Sequence, residues 1–335
     1  MTNNGAKLIS LPLLALPALY IILRLLSSFP VPPGPVKVYP SLASLPLDSR
    51  SWKIYPEDFY EGGNYVDFPY GRVRYWLLGP EAGEKIVLIH GLSVPSMIWK
   101  DVAPQLAARG FRVLVYDLYG RGYSDAPKLA YNASLYTTQL ALLLQHIHWD
   151  KAHIAAVSMG GGVATSFAAS FPQLTTGKIA LVASAGLMEA EDFSRTSKVM
   201  SSPLVQYFAS TVPVRILLKK LLSGNPTPNA NPLHEIVQIQ SAQLPGYNHA
   251  LASSMRDGPL RGLSSAFSTL AAQKQDVLLV WGTADQTVPY RYAAQIQELI
   301  PDSTLVTVAN GTHDLTVSHA DIISDAFDSF FRPGK

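Results

Sequence analysis

From residue 65 onward, short runs that are apolar at every position alternate with longer stretches that are apolar on one side only. "YVDFPYGRVRYWLLG" (65–79) alternates about a Pro-Tyr-Gly turn and predicts a β-hairpin. "KIVLIH" (85–90), "FRVLVYD" (111–117), "AHIAAV" (152–157) and "KIALVAS" (178–184) are aliphatic on both faces, as strands covered on both sides must be. Between them, "SMIWKDVAPQLAARG", "SLYTTQLALLLQHIHW" and "GGGVATSFAASFP" carry helical periodicity. Strand and helix in alternation predict an α/β fold with a mostly parallel sheet. The rhythm stops over residues 186–275, where amphipathic segments are broken by "GNPTPNANP" and "LPGYNH". It resumes with "DVLLVWG" (276–282), a helix near 290–300, "STLVTVAN" (303–310) and "ADIISDAFDSFF". A helical block is therefore expected inside the sheet, and no internal repeat is present.

The first residues follow a different pattern. An uncharged run from Leu8 to Leu23, closed by Arg24, would rise about 24 Å as a helix against a hydrocarbon core of about 30 Å. Snorkelling of Arg24 would help such a segment span. Residues 1–28 are expected to be a membrane anchor, with a cleaved signal segment as the competing reading. Pro12 and Pro17 disfavour a buried soluble helix. Residues 29–63, opening with "FPVPPGPVKVYPSLASLP", predict a stiff tether and lead-in. The remaining boundaries are a first core part at 64–185, a helical lid at 186–275 and a second core part at 276–335.

Composition narrows the chemistry. With 335 residues, 48% apolar and 15% charged, the chain can build a large core. A net charge of +2 with scattered basic residues gives no nucleic-acid footprint. The absence of cysteine removes disulfides, thiolate nucleophiles and cysteine-ligated zinc together. No organic cofactor or metal is implied.

"AAVSMGGG" (155–162) sets one serine between a strand and three glycines, although glycine costs about 1 kcal/mol against alanine within a helix. Small residues two before and two after Ser158, namely Ala156 and Gly160, permit the sharp strand-to-helix turn that projects a nucleophilic hydroxyl. A serine merely capping a glycine-rich helix is the alternative. Activation needs a histidine base held by a carboxylate. His313 of "NGTHDL" follows the last strand, at the sheet edge where Ser158 emerges, and His319 is the runner-up. His146, His148 and His153 precede the serine, His234 and His249 fall in the helical block, and His90 of "HGLS" is expected to be structural. Asp285 in "VWGTADQTVP" closes an earlier strand and is the expected orienting acid, with a helix N-cap or turn aspartate as its plain reading. The backbone N–H groups of Met159 and Leu92 are the expected oxyanion donors.

"IHGLSVPSMIW", "VYDLYGRGYSDAP", "AVSMGGG", "VWGTADQTVP" and "NGTHDL" resemble, in order and spacing, the α/β-hydrolase superfamily from about Tyr65 to Phe331. The branch containing monoacylglycerol-lipase-like esterases and meta-cleavage-product hydrolases is the most similar. The resemblance implies an eight-stranded, mostly parallel sheet with helices on both faces and a helical lid after strand six. It also implies Ser158 as nucleophile, His313 as base, Asp285 as acid, and Leu92 and Met159 as oxyanion donors. Ala156 and Thr312 stand where this family commonly has glycine, and Thr312 could shift the histidine loop. The nucleophile position holds serine, which disfavours the related epoxide hydrolases and dehalogenases.

The expected reaction is hydrolysis of a lipophilic ester through an acyl-enzyme. "SPLVQYFASTVPVRILLKKLL" and "PLRGLSSAFSTLAA" supply apolar groups for a pocket under the lid. Three alternatives use the same fold. A C–C bond hydrolase of a diketone acid would call on Arg195, Arg215, Arg256 or Arg261; an acyltransferase or polyketide-tailoring enzyme would admit another nucleophile; a catalytically idle binding module would use none. Glu189, Glu191 and Asp192 are expected to form a solvated lid entrance, and Asn132 and Asn310 head sequons that matter only in a lumenal protein.

Overall fold

The computed structural model describes residues 5–26, 34–202, 205 and 231–332. It divides into two units, Met1–Val36 and Lys37–Lys335. In the first, Gly5–Leu26 is one helix whose apolar side chains from Leu16 to Leu26 are exposed. No helix among the described residues is long and apolar enough to cross a membrane, so the expected transmembrane segment is not found.

The second unit is built on an eight-stranded sheet. Its strands are β1 (Gly63–Phe68), β2 (Gly71–Leu78), β3 (Glu84–Ile89), β4 (Phe111–Tyr116), β5 (Ala152–Val157), β6 (Thr175–Val182), β7 (Asp276–Gly282) and β8 (Thr304–Val308). They lie in the order β8-β7-β6-β5-β3-β4-β2-β1. The hairpin β1–β2 is antiparallel, as is β2 against β4, and every pair from β4 to β8 is parallel. This is the α/β-hydrolase architecture.

Strands buried on both faces explain the unbroken apolar runs. In β3, Val87 and Ile89 pack into one core layer while Ile86 and Leu88 pack into the other. The first layer is closed by α2 (Ala133–His146), α3 (Met159–Ser170) and α7 (Arg291–Leu299), and the second by α1 (Val102–Ala108) and α8 (Ala320–Phe331). Burying one such aliphatic side chain contributes about 2 kcal/mol, so a polar residue at any of these positions would be strongly selected against.

Two expectations change here. Residues 37–63, expected within a stiff tether and lead-in, pack on the core instead. Val38–Tyr39 pairs with Ala126–Pro127, and Leu42, Tyr55 and Tyr60 are buried. Aromatic area drives this: Tyr55 and Tyr60 pack on Trp76, and their hydroxyls reach Ser96. Within the helical block, α4 (Pro232–Gln243), α5 (Tyr247–Asp257) and α6 (Ser264–Ala272) are described. Phe267 and Leu270 of α6 sit in the first core layer with α3, so α6 is the crossover helix between β6 and β7 and not a cover. Most of "SPLVQYFASTVPVRILLKKLL", including Arg215, lies outside the described residues.

Candidate active site

The chain leaves β3 for β4 on one side and leaves the neighbouring β5 for β6 on the other, which opens a crevice beyond the carboxyl ends of β3 and β5. Ser158 stands at that point with φ 57° and ψ −127°, a sparsely populated conformation that costs on the order of 1–3 kcal/mol. Its backbone is held on both sides: Ser158 N–H donates to Val182 O at 3.0 Å, and Ala185 N–H donates to Ser158 O at 3.0 Å.

Each of the three glycines after it answers a close approach. A Cβ at Gly160 would collide with the carbonyls of Ile89 and His90 at the end of β3. One at Gly161 would strike Ser184, and one at Gly162 the carbonyl of Pro259. The helix thus packs backbone against neighbours on three sides, which explains a composition that helix propensity alone opposes.

His313 and Asp285 arrive from adjacent strands. Gly282 ends β7 directly against Gly311, and a Cβ on Gly282 would overlap the Gly311 carbonyl. Thr283 N–H donates to Val308 O at 3.1 Å and Ala284 N–H to Gly311 O at 2.9 Å, so the two loops are stitched together. His313 Nδ1 then lies 2.8 Å from Asp285 Oδ2, and His313 Nε2 lies 3.0 Å from Ser158 Oγ. The other carboxylate oxygen, Oδ1, accepts from the N–H groups of Thr287 and Val288 at 2.8 and 2.9 Å. Asp285 is buried, with its side chain wholly withdrawn from solvent, while the His313 side chain is 26% exposed on the crevice. Thr312 does not shift this loop out of reach: its side chain is exposed and bonds Asp314.

A backbone carbonyl turned away from the crevice presents the opposite N–H toward it. His90 is fully buried, and burial pushes its imidazole down to about 3, so it is neutral. Its Nε2 accepts from Leu118 N–H at 2.8 Å, which leaves the proton on Nδ1, 2.9 Å from Gly91 O. That carbonyl shares a trans peptide with the Leu92 N–H. Leu92 and Gly91 line the same cavity as Ser158, and a Cβ on Gly91 would come within 3.2 Å of Ser158 Cβ. Met159 is the first residue of α3, where an N–H has no intrahelical acceptor. A carbonyl carbon beside Ser158 Oγ would therefore meet a hydroxyl, an imidazole to take its proton, and main-chain donors near its oxygen.

The cavity above Ser158 and His313 measures about 390 Å³ between the described residues. Val94, Ile98, Met188, Phe193, Met255 and Leu260 give it an apolar wall. Among the described residues no lysine or arginine lines it, and Asp192 is its one acidic lining residue. Arg256 pairs with Asp257, Arg261 donates to Arg256 O, and Arg195 is exposed, so none of these reaches the cavity. Asp192 was expected in a solvated cluster, but its side chain is only 8% exposed. It pairs with Arg291, accepts from Tyr292 and from the Glu189 N–H, and so ties the start of the helical block to α7.

The other histidines stand apart. His153 meets Thr176 Oγ1 at 2.6 Å and stacks on Phe331, His146 meets Tyr75, His249 meets Leu129 O, and His319 meets Ser318 Oγ. Arg121 escaped the reading of the sequence. Three of its four hydrogen bonds reach three distant segments and the fourth its own loop, and only the glycines on either side of it in "YGRGYSD" hinted at a role.

Residues 85–320 match the family described as alpha/beta hydrolase fold. The chain belongs to the α/β-hydrolase family. It is 29% identical over 247 residues to an uncharacterised protein of Mycobacterium tuberculosis, covering 69% of this chain and 70% of that one. It is 27% identical to 2-hydroxymuconate semialdehyde hydrolase of a Pseudomonas species, over 71% and 83% of the two chains. Among solved structures, a membrane phospholipase A described as a bacterial virulence factor superposes with a TM-score of 0.65 at 21% identity, covering 97% of each chain. At that identity the likeness to this α/β-hydrolase is one of fold.

Proposed function

We propose that the chain is a serine esterase acting on a small, uncharged, lipophilic carboxylic ester, monoacylglycerol-like in character. The observation that carries the reading is the unbroken link from Asp285 through His313 to Ser158, at 2.8 and 3.0 Å, opening on an apolar cavity. Ser158 Oγ attacks the ester carbonyl while His313 Nε2 takes its proton. The oxyanion is held by the N–H groups of Leu92 and Met159. His313 then protonates the leaving alcohol, and Asp285 stabilises the imidazolium throughout. Water activated by His313 releases the acid from the acyl-enzyme. No metal or cofactor has a part in this scheme.

The described wall is mostly apolar, with Val94, Ile98, Met188, Phe193, Met255 and Leu260, and suits a lipophilic ester better than the carboxylate of a diketone acid. That favours the ester over the C–C bond reaction named for the Pseudomonas relative. The exposed apolar side chains from Leu16 to Leu26 support a second part of the proposal, that the enzyme is membrane-associated through its N-terminal segment. The test of the reaction is a panel of p-nitrophenyl esters of rising chain length with a monoacylglycerol and a diketone acid, run on wild type and Ser158→Ala. Ester turnover abolished in the variant supports the reading. Turnover surviving there removes Ser158, and diketone cleavage without ester cleavage replaces the substrate class. Membrane association is read by carbonate extraction of the full chain against one lacking residues 1–28.

A further inference from the structure

Arg121 is completely buried, yet among the described residues it forms no ion pair. A guanidinium withdrawn from water must have its donors satisfied, and this one finds only neutral acceptors. Nε donates to Leu92 O at 2.9 Å and Nη1 to Tyr119 O at 3.0 Å. Nη1 also donates to Tyr136 Oη at 2.6 Å, and Nη2 to Ser254 Oγ at 2.8 Å. The hydroxyl protons then have one consistent arrangement. Ser254 Oγ donates to Ala250 O at 2.6 Å, so Tyr136 Oη donates to Ser254 Oγ at 2.7 Å. The network joins three parts of the molecule: the loop after β3, helix α2 through Tyr136, and helix α5 through Ser254.

We infer that Arg121 is a positioning residue which fixes the oxyanion loop and links it to helix α5 of the lid. Two neighbouring peptides of that loop are pinned from opposite sides of the sequence. His90 holds the Gly91 carbonyl, and with it the plane of the Leu92 N–H. Arg121 holds the next carbonyl, Leu92 O, so the peptides on both sides of the Leu92 Cα are held. A fork that also grips Ser254 makes this orientation depend on the seating of α5, which contributes Met255 to the cavity wall. A lid that is displaced loosens the donor at Leu92, and a lid that is seated fixes it.

The inference rests on the esterase reading, and the experiment separates the two. Arg121→Lys keeps the charge but loses the fork, and Ser254→Ala removes the lid arm together with the acceptor of the Tyr136 hydroxyl. The probes are p-nitrophenyl butyrate and a butyl trifluoromethyl ketone, whose adduct with Ser158 places an oxyanion where the ester intermediate would. For Arg121→Lys, kcat and ketone affinity should fall together by about tenfold or more, with KM within about twofold, because full loss of one oxyanion donor costs about 10²–10³ in kcat. For Ser254→Ala the same paired loss should be smaller, about threefold. A lower thermal midpoint with kcat and ketone affinity unchanged in either folded variant overturns the inference and leaves a purely structural arginine. A wild type that turns over no ester and is not labelled by a fluorophosphonate overturns the esterase reading itself.

Discussion

Asp285→Asn removes one acceptor from a site where every acceptor is committed. The carboxylate serves three donors: Oδ1 takes the Thr287 and Val288 N–H groups, and Oδ2 takes His313 Nδ1–H. An asparagine has a single oxygen. Turning it toward His313 would leave two backbone N–H groups facing an NH₂, at about 1–3 kcal/mol for each unpaired donor. The oxygen therefore stays with Thr287 and Val288, and the amide N–H₂ faces His313. Nδ1 must then accept, which moves the imidazole proton to Nε2. From there it donates to Ser158 Oγ across the 3.0 Å contact and cannot take the hydroxyl proton. A wrong tautomer in a Ser-His-Asp relay costs about 10⁴ in kcat, or about 5 kcal/mol of barrier. The assay is the second-order rate of fluorophosphonate labelling at Ser158, which needs no knowledge of the natural substrate, beside p-nitrophenyl butyrate turnover. Unfolding in urea should stay within about 1 kcal/mol of wild type, since the replacement is nearly isosteric. A folded variant that loses less than about tenfold in labelling rate would refute the tautomer argument.

Gly162→Ala should lower the free energy of unfolding by about 1–2 kcal/mol in urea titrations, because its Cβ meets the Pro259 carbonyl while the gain in helix propensity is only about 1 kcal/mol. His90 makes stability depend on pH. Its folded pKa, pushed down to about 3 by burial, lies below the unfolded value, so the contribution is complete above about pH 6.5 and is lost as pH falls toward 3. Between pH 7 and 5 the loss is about 2 kcal/mol. Asp117 acts in the opposite sense, since burial raises it to about 6 against its hydrogen bonds, so the clean measure is the difference in slope between wild type and His90→Asn. Equal slopes would mean that His90 titrates normally. Asn132 Oδ1 caps α2 by accepting Leu135 N–H at 3.0 Å, and Asn132→Ala should cost about 1 kcal/mol by the same titration.

Much of this arrangement is readable in the chain because it is local. A strand buried on both faces must be apolar at every position, so β3 to β7 announce themselves, and a strand-to-helix elbow needs small residues at fixed offsets from Ser158. The convergence of Asp285 and His313 is half local: each ends a strand, but that the strands are neighbours depends on Gly282 abutting Gly311, which no periodicity reveals. What lay beyond the sequence is the side-chain traffic between distant segments. Asp192 looks like a surface acid until Arg291 and Tyr292, a hundred residues on, close over it. Residues 29–63 read as a stiff tether and lead-in because proline excludes regular structure, yet Tyr55 and Tyr60 of the lead-in bury through contacts made to Trp76 and Ser96. Arg121 needed three segments at once.

The strand that delivers His313 has, among the described residues, a neighbour on one side only. β8 closes the sheet against β7, and among the described residues its other flank carries no partner strand. Border strands are among the first parts of a domain to open, well before the interior yields. Opening there would carry the imidazole away from a serine whose own turn, held between β5 and β6, is still intact. Warming or dilute denaturant should therefore silence the hydroxyl while circular dichroism still reports a folded sheet, and reclosure of one short strand would restore it without refolding the rest.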